Sequence, residues 1–332
     1  MRLMNNLKLF GATMLLTLMT IGCQVWAFGQ AQQNIKLPPP QNELEALRSS
    51  FYSYDAELPL NAKLTRLPSK SAPRYALSYD SIHDQRVTAV FSLPAKATAP
   101  CPAVIVMHGS GGDKNASYVT LVCSEMNRRG YAAIAIDGQY RGDRAKPGKT
   151  GDLRPDSYTM RDIWVQDVVD LRRAVDFLRS RPEIDGNKIG FVGFSMGAML
   201  GAALGGVEDR ISCFLLAVPG GGFVDLAKNI EKYPLLKEKW PIRVTPEVMK
   251  RVQDFANVAD PIYFVSRIAP RPILVIVAKQ DEVIPASASN AFIEAGHIKA
   301  TDVTYYSSGH ALNPAVLFKI RDFMSAHLTY EK

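Results

Sequence analysis

Lys188-Ile189-Gly190-Phe191-Val192-Gly193-Phe194-Ser195-Met196-Gly197 is the stretch whose reading decides the fold. It reads as a short buried strand, a Gly-Phe-Ser-Met-Gly turn, and a helix over 198–206 built largely of small residues. A G-x-S-x-G sequence between strand and helix is the pattern of a nucleophile elbow. The chemistry accounts for the residue types. A serine hydroxyl is a weak nucleophile and must stand clear of the sheet for a base to reach it. A sharp turn at the carboxyl end of a strand lifts it there, in a strained backbone conformation. Gly193 and Gly197 are the residues that let strand and helix approach each other.

Outward from this stretch, apolar runs and helical patterns alternate. Residues 103–107 and 131–136 read as buried strands, and 118–129 as the helix between them, closed by Gly130. Residues 163–178 carry apolar side chains at helical spacing and lead into the elbow strand. Beyond it, 211–218, 272–278 and 301–306 read as strands, and 286–295 and 314–327 as helices. Residues 75–93 alternate around His83-Asp84-Gln85, which predicts a hairpin at a sheet edge with His83 exposed in its turn. The expected class is α/β, with a mostly parallel central sheet covered by helices on both faces. Residues 223–262 break the alternation and are expected to form a small helical cap over the strand ends. The expected organisation is a signal segment over 1–29, a linker with a surface helix over 30–74, and one catalytic domain over 75–330.

The amino terminus reads as an export signal: Arg2 and Lys8 precede an apolar run over 9–21 that is short for a membrane span. Two processing sites compete. Thr20-Ile21-Gly22-Cys23 resembles a lipobox, which would attach the chain to a membrane through Cys23. Small residues around Ala27, Gly29 and Ala31 suit ordinary cleavage to a periplasmic or secreted product. The chain of 332 residues carries a net charge of +7, but the charge is spread without a basic run, which argues against a nucleic-acid partner. Besides Cys23 there are Cys101, Cys123 and Cys213. Cys213 sits in an apolar run and reads as a core thiol, and a Cys101–Cys123 disulfide stays open. No Cys/His spacing suggests a metal site.

Four loops after apolar strand runs carry chemistry: His108-Gly109-Ser110-Gly111-Gly112, Ser195, Asp281 and His310. In a parallel sheet such loops gather at the carboxyl ends of the strands. In this arrangement His310 takes the proton of Ser195, and Asp281 holds the imidazole tautomer. Glu282 stands beside Asp281 as a competing partner of the imidazole. His108 belongs to the glycine loop and reads as structural. Asp137, Arg141 and Asp143 read as substrate contacts or as a loop-bracing salt-bridge cluster. Tyr140, Trp164, Phe223 and Trp240 are candidates for the substrate pocket, with core packing as the competing role of each.

Over 75–330 the chain resembles the α/β-hydrolase superfamily, with the Ser…Asp…His order of that fold. The helix leading to Gly-Phe-Ser-Met-Gly, the His108-Gly109 pair and Asp281-Glu282-Val283-Ile284-Pro285 are similar to the dienelactone hydrolase, acetyl xylan esterase and prolyl-oligopeptidase branch. Two features depart from it: Ser195 stands where dienelactone hydrolases use cysteine, and no large amino-terminal propeller precedes the domain. The resemblance implies an oxyanion hole from the amide of Met196 and that of Ser110 or Gly111. Its spacing to Pro285 favours Asp281 over Glu282. It also implies a serine hydrolase that needs no metal or organic cofactor and acts on a small-molecule carboxylic ester. A peptidase or amidase of the oligopeptidase branch is the alternative. A catalytically silent binding protein is disfavoured by the intact Ser, Asp and His.

Overall fold

Side chains along the strand Cys101–Met107 alternate between two cores: Ala103, Ile105 and Met107 join one, Val104 and Val106 the other. A strand buried on both faces needs helices on both sides of its sheet, and the rest of the chain supplies them. The computed structural model describes residues 37, 40–96, 100–147, 154–311 and 313–328. The expected signal segment, with Cys23, lies outside them.

In chain order the elements are α1 (Glu43–Phe51), β1 (Lys63–Leu67), β2 (Arg74–Asp80), β3 (Arg86–Ser92), β4 (Cys101–Met107), α2 (Ser117–Arg128), β5 (Ala132–Ile136) and α3 (Tyr158–Arg179). They continue with β6 (Ile184–Phe194), α4 (Met196–Val207), β7 (Cys213–Ala217), α5 (Phe223–Lys228), α6 (Pro234–Lys239), α7 (Pro246–Ala259), β8 (Ile273–Ala278), α8 (Ala286–Ala295), β9 (Val303–Tyr306) and α9 (Val316–His327). Among the described residues these strands form one sheet in the order β1-β2-β3-β5-β4-β6-β7-β8-β9. Pairing is antiparallel from β1 to β5 and parallel from β5 to β9. The α/β class with helices on both faces is therefore observed. One core holds α3, α4 and the segment 223–262, and the other holds α2 and α9.

Two expectations need correction. The sheet begins at Lys63, inside the stretch expected to be linker. The predicted hairpin β2–β3 is not an edge, because β1 pairs outside it, Leu64 opposite Leu77. β1 escapes a sequence reading because Lys63-Leu64-Thr65-Arg66-Leu67 is largely exposed and lacks clean alternation. The helix expected on the surface over 42–49 is there as α1, mostly exposed, and it is anchored on α7: Arg48 Nε donates to the Asn257 carbonyl (2.7 Å), and Tyr52, next in the chain after α1, donates to that of Val258 (2.8 Å). The open question of the cysteines resolves as well. Cys101, Cys123 and Cys213 are free thiols, with Cys101 and Cys213 buried.

Candidate active site

The elbow is built by contact distances that only glycine tolerates. A Cβ on Gly193 would lie 2.3 Å from the Gly197 carbonyl oxygen. A Cβ on Gly197 would lie 2.5 Å from the carbonyl oxygens of both Met107 and His108. Between them Ser195 has φ 53° and ψ −118°, a left-handed conformation for a residue with a side chain. Such a conformation costs about 1–3 kcal/mol and survives only where the surroundings impose it. Here the Ser195 amide donates to the Ala217 carbonyl of the neighbouring β7 (2.8 Å), and its own carbonyl accepts from Ala198 and Met199 at the head of α4.

Two further loops meet Ser195. His310 follows β9 and places Nε2 3.0 Å from Ser195 Oγ. Its Nδ1 lies 2.9 and 3.0 Å from the two carboxylate oxygens of Asp281, which follows β8. A carboxylate only accepts, so Nδ1 carries the hydrogen and Nε2 presents a lone pair to the serine hydroxyl. Asp281 is itself held by the amides of Val283 (2.9 Å) and Ile284 (2.7 Å), both donating to Oδ1. Glu282, the competing carboxylate, turns elsewhere and accepts the backbone amide of His310 (2.9 Å). That bond holds its carboxyl below the usual carboxylate range. Of the two neighbouring acids, one orients the ring and the other fixes the loop that carries it.

The glycine loop after β4 is braced from both sides. His108 is fully buried; Gly138 donates its amide to Nε2 (3.0 Å), so Nδ1–H donates to the Gly109 carbonyl (2.7 Å). Burial lowers the pKa of this ring and keeps it neutral. The Gly109 amide donates to the Tyr118 hydroxyl (3.0 Å), a brace that sequence reasoning missed. A tyrosine on the first turn of the next helix is too common a feature to single out. Asp137 and Asp143 serve as braces: Lys114 Nζ donates to Asp137 (2.5 Å) and Asp143 (2.8 Å), and Thr88 donates to Asp137 (2.6 Å).

Beside Ser195 lies an apolar cavity of about 80 Å³. Trp164, Phe223 and Trp240 border it, as does Ser110, while Gly111 and Tyr140 do not. Tyr140 is the correction here. It follows β5 on the other side of α3 and lines a separate cleft. The rings form one cluster: Phe223 stacks on Phe255 at 5.5 Å, and Trp164 meets both edge-on at 5.8 and 6.0 Å. Residues 223–262 supply much of this wall, including Leu226, Leu236 and Phe255. Asp260 ties the two ends of that segment together. It accepts from the amides of Gly222 (3.0 Å) and Phe223 (2.6 Å) at one end and Ile262 (3.3 Å) at the other. Burial pushes its carboxyl up to about 6. A second buried acid, Asp167 on α3, accepts the Gln139 amide (2.7 Å) and is pushed up to about 7 by burial. The Asp260-Pro261 pair was a legible turn signal; Asp167, inside a helical pattern, gave none.

The chain is similar to several known proteins. Residues 87–215 match the dienelactone hydrolase family, and 171–321 match the carboxy-terminal region of the BAAT and acyl-CoA thioester hydrolases. A Bacillus subtilis (strain 168) protein, YtaP, whose name assigns it to the hydrolases, is 27% identical over 218 residues, 61% of this chain and 68% of its own. An acetyl xylan esterase from Paenibacillus sp. R4 superposes with a TM-score of 0.68 at 25% identity, covering 90% of this chain and 99% of its own. Acetyl xylan esterase 1 from Thermoanaerobacterium sp. JW/SL YS485 gives 0.66 at 20% identity, covering 89% and 96%. With the sheet order and the elbow, these likenesses define an α/β-hydrolase. Over residues 87–215 the chain is similar to the dienelactone hydrolase family, and it is a hydrolase of the esterase type.

Proposed function

We propose that the chain is an exported serine hydrolase that cleaves carboxylic esters of small acyl groups through an acyl-enzyme intermediate. One observation carries the catalytic part: His310 bridges Ser195 Oγ and the Asp281 carboxylate at 2.9–3.0 Å, beside an apolar cavity. In the first half-reaction Nε2 of His310 takes the proton of Ser195 as Oγ attacks the carbonyl carbon. The tetrahedral oxyanion is met by the amide of Met196 at the head of α4 and that of Ser110. Collapse expels the alkoxide, which takes the proton from His310 and leaves as the alcohol. Water then attacks the acyl-serine and gives one proton to His310; as this second intermediate collapses, the bond from the acyl carbon to Oγ breaks, His310 returns the proton to Ser195 Oγ, and the carboxylic acid departs.

The small acyl group follows from volume. Sites for drug-sized ligands span about 300–1,000 Å³, and the cavity beside Ser195 offers about 80 Å³ with Trp164, Phe223 and Met199 against it. That room suits an acyl chain of a few carbons. Residues 223–262 act as the cap that sets this limit.

Ser195→Ala is expected to lower turnover of p-nitrophenyl acetate by about 10⁴-fold or more, and a fluorophosphonate should label Ser195 alone. Labelling that survives the substitution would overturn the assignment. Matched amide substrates should be poor; efficient amide cleavage would favour the peptidase reading. Export rests on the sequence of 1–29. The mass of the mature protein tests it: a start near residue 30 means signal cleavage, a diacylglyceryl group on Cys23 means a lipoprotein, and a retained Met1 refutes both.

A further inference from the structure

The loop after β4 has to hold one amide still, yet its own sequence gives it little stiffness. Three of the five residues over 108–112 are glycines, which leave a backbone free to take many conformations. An oxyanion donor speeds a reaction only if it is already aimed when the charge develops. The aim of the Ser110 amide therefore has to come from side chains packed on the loop. The inference below rests on the acyl-enzyme reading, in which that amide meets the oxyanion.

Gly109 is where the aim is set, because its carbonyl and the Ser110 amide lie in one planar peptide. The oxygen end of that plane accepts from His108 Nδ1 (2.7 Å) and from the Gly112 amide (3.0 Å). The preceding plane carries the Gly109 amide, which donates to the hydroxyl of Tyr118 on the first turn of α2 (3.0 Å). The φ and ψ of Gly109 describe how these two planes are turned about its Cα. Fixing both planes fixes the residue, and with it the direction of the Ser110 N–H.

Tyr118 is itself seated from two sides. Its ring meets Phe194, the residue before Ser195, edge-on at 5.1 Å. Its hydroxyl occupies the space over Gly112, where a Cβ would lie 2.6 Å from it. Gly112 is not left-handed, so its backbone suits other residues and the hydroxyl is what excludes them. A Cβ on Gly109 would lie 3.7 Å from the same hydroxyl and 3.3 Å from Ser195 Cβ, so tyrosine and nucleophile border one small space. Burial raises the pKa of the hydroxyl and keeps it a neutral acceptor. We propose that Tyr118 is a positioning residue of the oxyanion hole: seated on Gly112, it holds the Gly109 amide and thereby keeps the Ser110 amide aimed at the developing oxyanion.

The experiment compares the full chain with Tyr118→Phe, Gly112→Ala and the double variant on p-nitrophenyl acetate. Rates are taken per site, with sites counted by fluorophosphonate labelling carried to completion. Tyr118→Phe keeps the ring on Phe194 and loses only the hydroxyl. Its kcat and kcat/KM should fall together by about tenfold, with KM within about twofold of the parent, the pattern of an interaction that works in the transition state alone. The number of labelled sites should not change. Gly112→Ala displaces the same hydroxyl with a Cβ and should bring a similar loss; it carries the test if Tyr118→Phe does not fold. The double variant should be no slower than the slower single one, because both changes remove one contact. Per-site kcat within about twofold of the parent in both single variants would overturn the proposal. So would losses that multiply in the double variant, or fewer labelled sites at unchanged per-site kcat, which would leave Tyr118 a brace for folding alone. An inactive and unlabelled parent would overturn the serine-hydrolase reading and this inference with it, whereas an active parent with unaffected variants overturns this inference only.

Discussion

Replacing Asp281 by asparagine changes one atom, and the structure dictates which one. Oδ1 of Asp281 accepts two backbone amides, from Val283 and Ile284. An asparagine must keep its oxygen there, since an NH₂ group would face two donors. Its NH₂ then takes the place of Oδ2, 2.9 Å from His310 Nδ1. A donor now faces Nδ1, so Nδ1 must accept and the ring proton moves to Nε2. The nitrogen 3.0 Å from Ser195 Oγ loses the lone pair that takes the serine proton. The fold is untouched, but the base is in the wrong tautomer, which in triads of this kind costs about 10⁴ in kcat, or about 5 kcal/mol of barrier. Glu282→Gln is the matched control. Glutamine can still accept the His310 amide through its oxygen, so only the charge on that solvent-screened bond is lost, and the rate should fall by less than about tenfold. The assay is kcat/KM on p-nitrophenyl acetate, with melting curves to show that both variants fold. A folded Asp281→Asn enzyme within tenfold of the parent, or a Glu282→Gln enzyme as impaired as Asp281→Asn, would refute the reasoning.

Three further outcomes are expected. Asp167 binds its proton more tightly folded than unfolded, so its contribution to the unfolding free energy should fall as pH climbs from 3.8 to about 7 and level off above. Urea titrations at pH 5 and pH 8 should show that Asp167→Asn removes a loss on the order of 1–3 kcal/mol, and an unchanged difference between the two pH values would contradict the burial argument. Gly197→Ala forces a Cβ against two backbone carbonyls at 2.5 Å; it should cost about 1–3 kcal/mol in denaturation and also slow fluorophosphonate labelling of Ser195, whereas a strain absorbed elsewhere would leave labelling unchanged. Trp240→Ala opens the half-exposed end of the ring cluster, where Trp240 meets Phe223 at 5.9 Å. It should shift the kcat/KM ratio toward longer acyl esters, and an unaltered ratio in a folded variant would remove residues 223–262 from substrate selection.

The sequence by itself determined the parts of this protein that depend on near neighbours along the chain. Strands buried on both faces are continuous apolar runs, so β4, β5, β7 and β8 could be located within a residue or two. The Gly-Phe-Ser-Met-Gly turn carries its own backbone requirement, because Gly193 and Gly197 meet each other across four residues. The order Ser195, Asp281, His310 on loops after parallel strands was enough to bring the three to one edge of the sheet. Tertiary structure decided whatever turns on direction or on a distant partner. Asp281 and Glu282 are adjacent and chemically alike; the spacing to Pro285 favoured Asp281 by resemblance, and the amides of Val283 and Ile284 on one and of His310 on the other give the physical reason for their separate roles. Tyr140 and Trp164 were equal candidates in sequence, yet α3 stands between them and assigns them to different clefts. β1 has too weak a pattern to be seen without β2 beside it. Tyr118 and Asp260 act through backbone amides nine and 37 or more residues away, along with nearer ones. A backbone amide carries no residue code, so even where the acceptor is signalled, as by Asp260-Pro261, its distant partner leaves no trace in composition or spacing and is fixed only once the chain has folded.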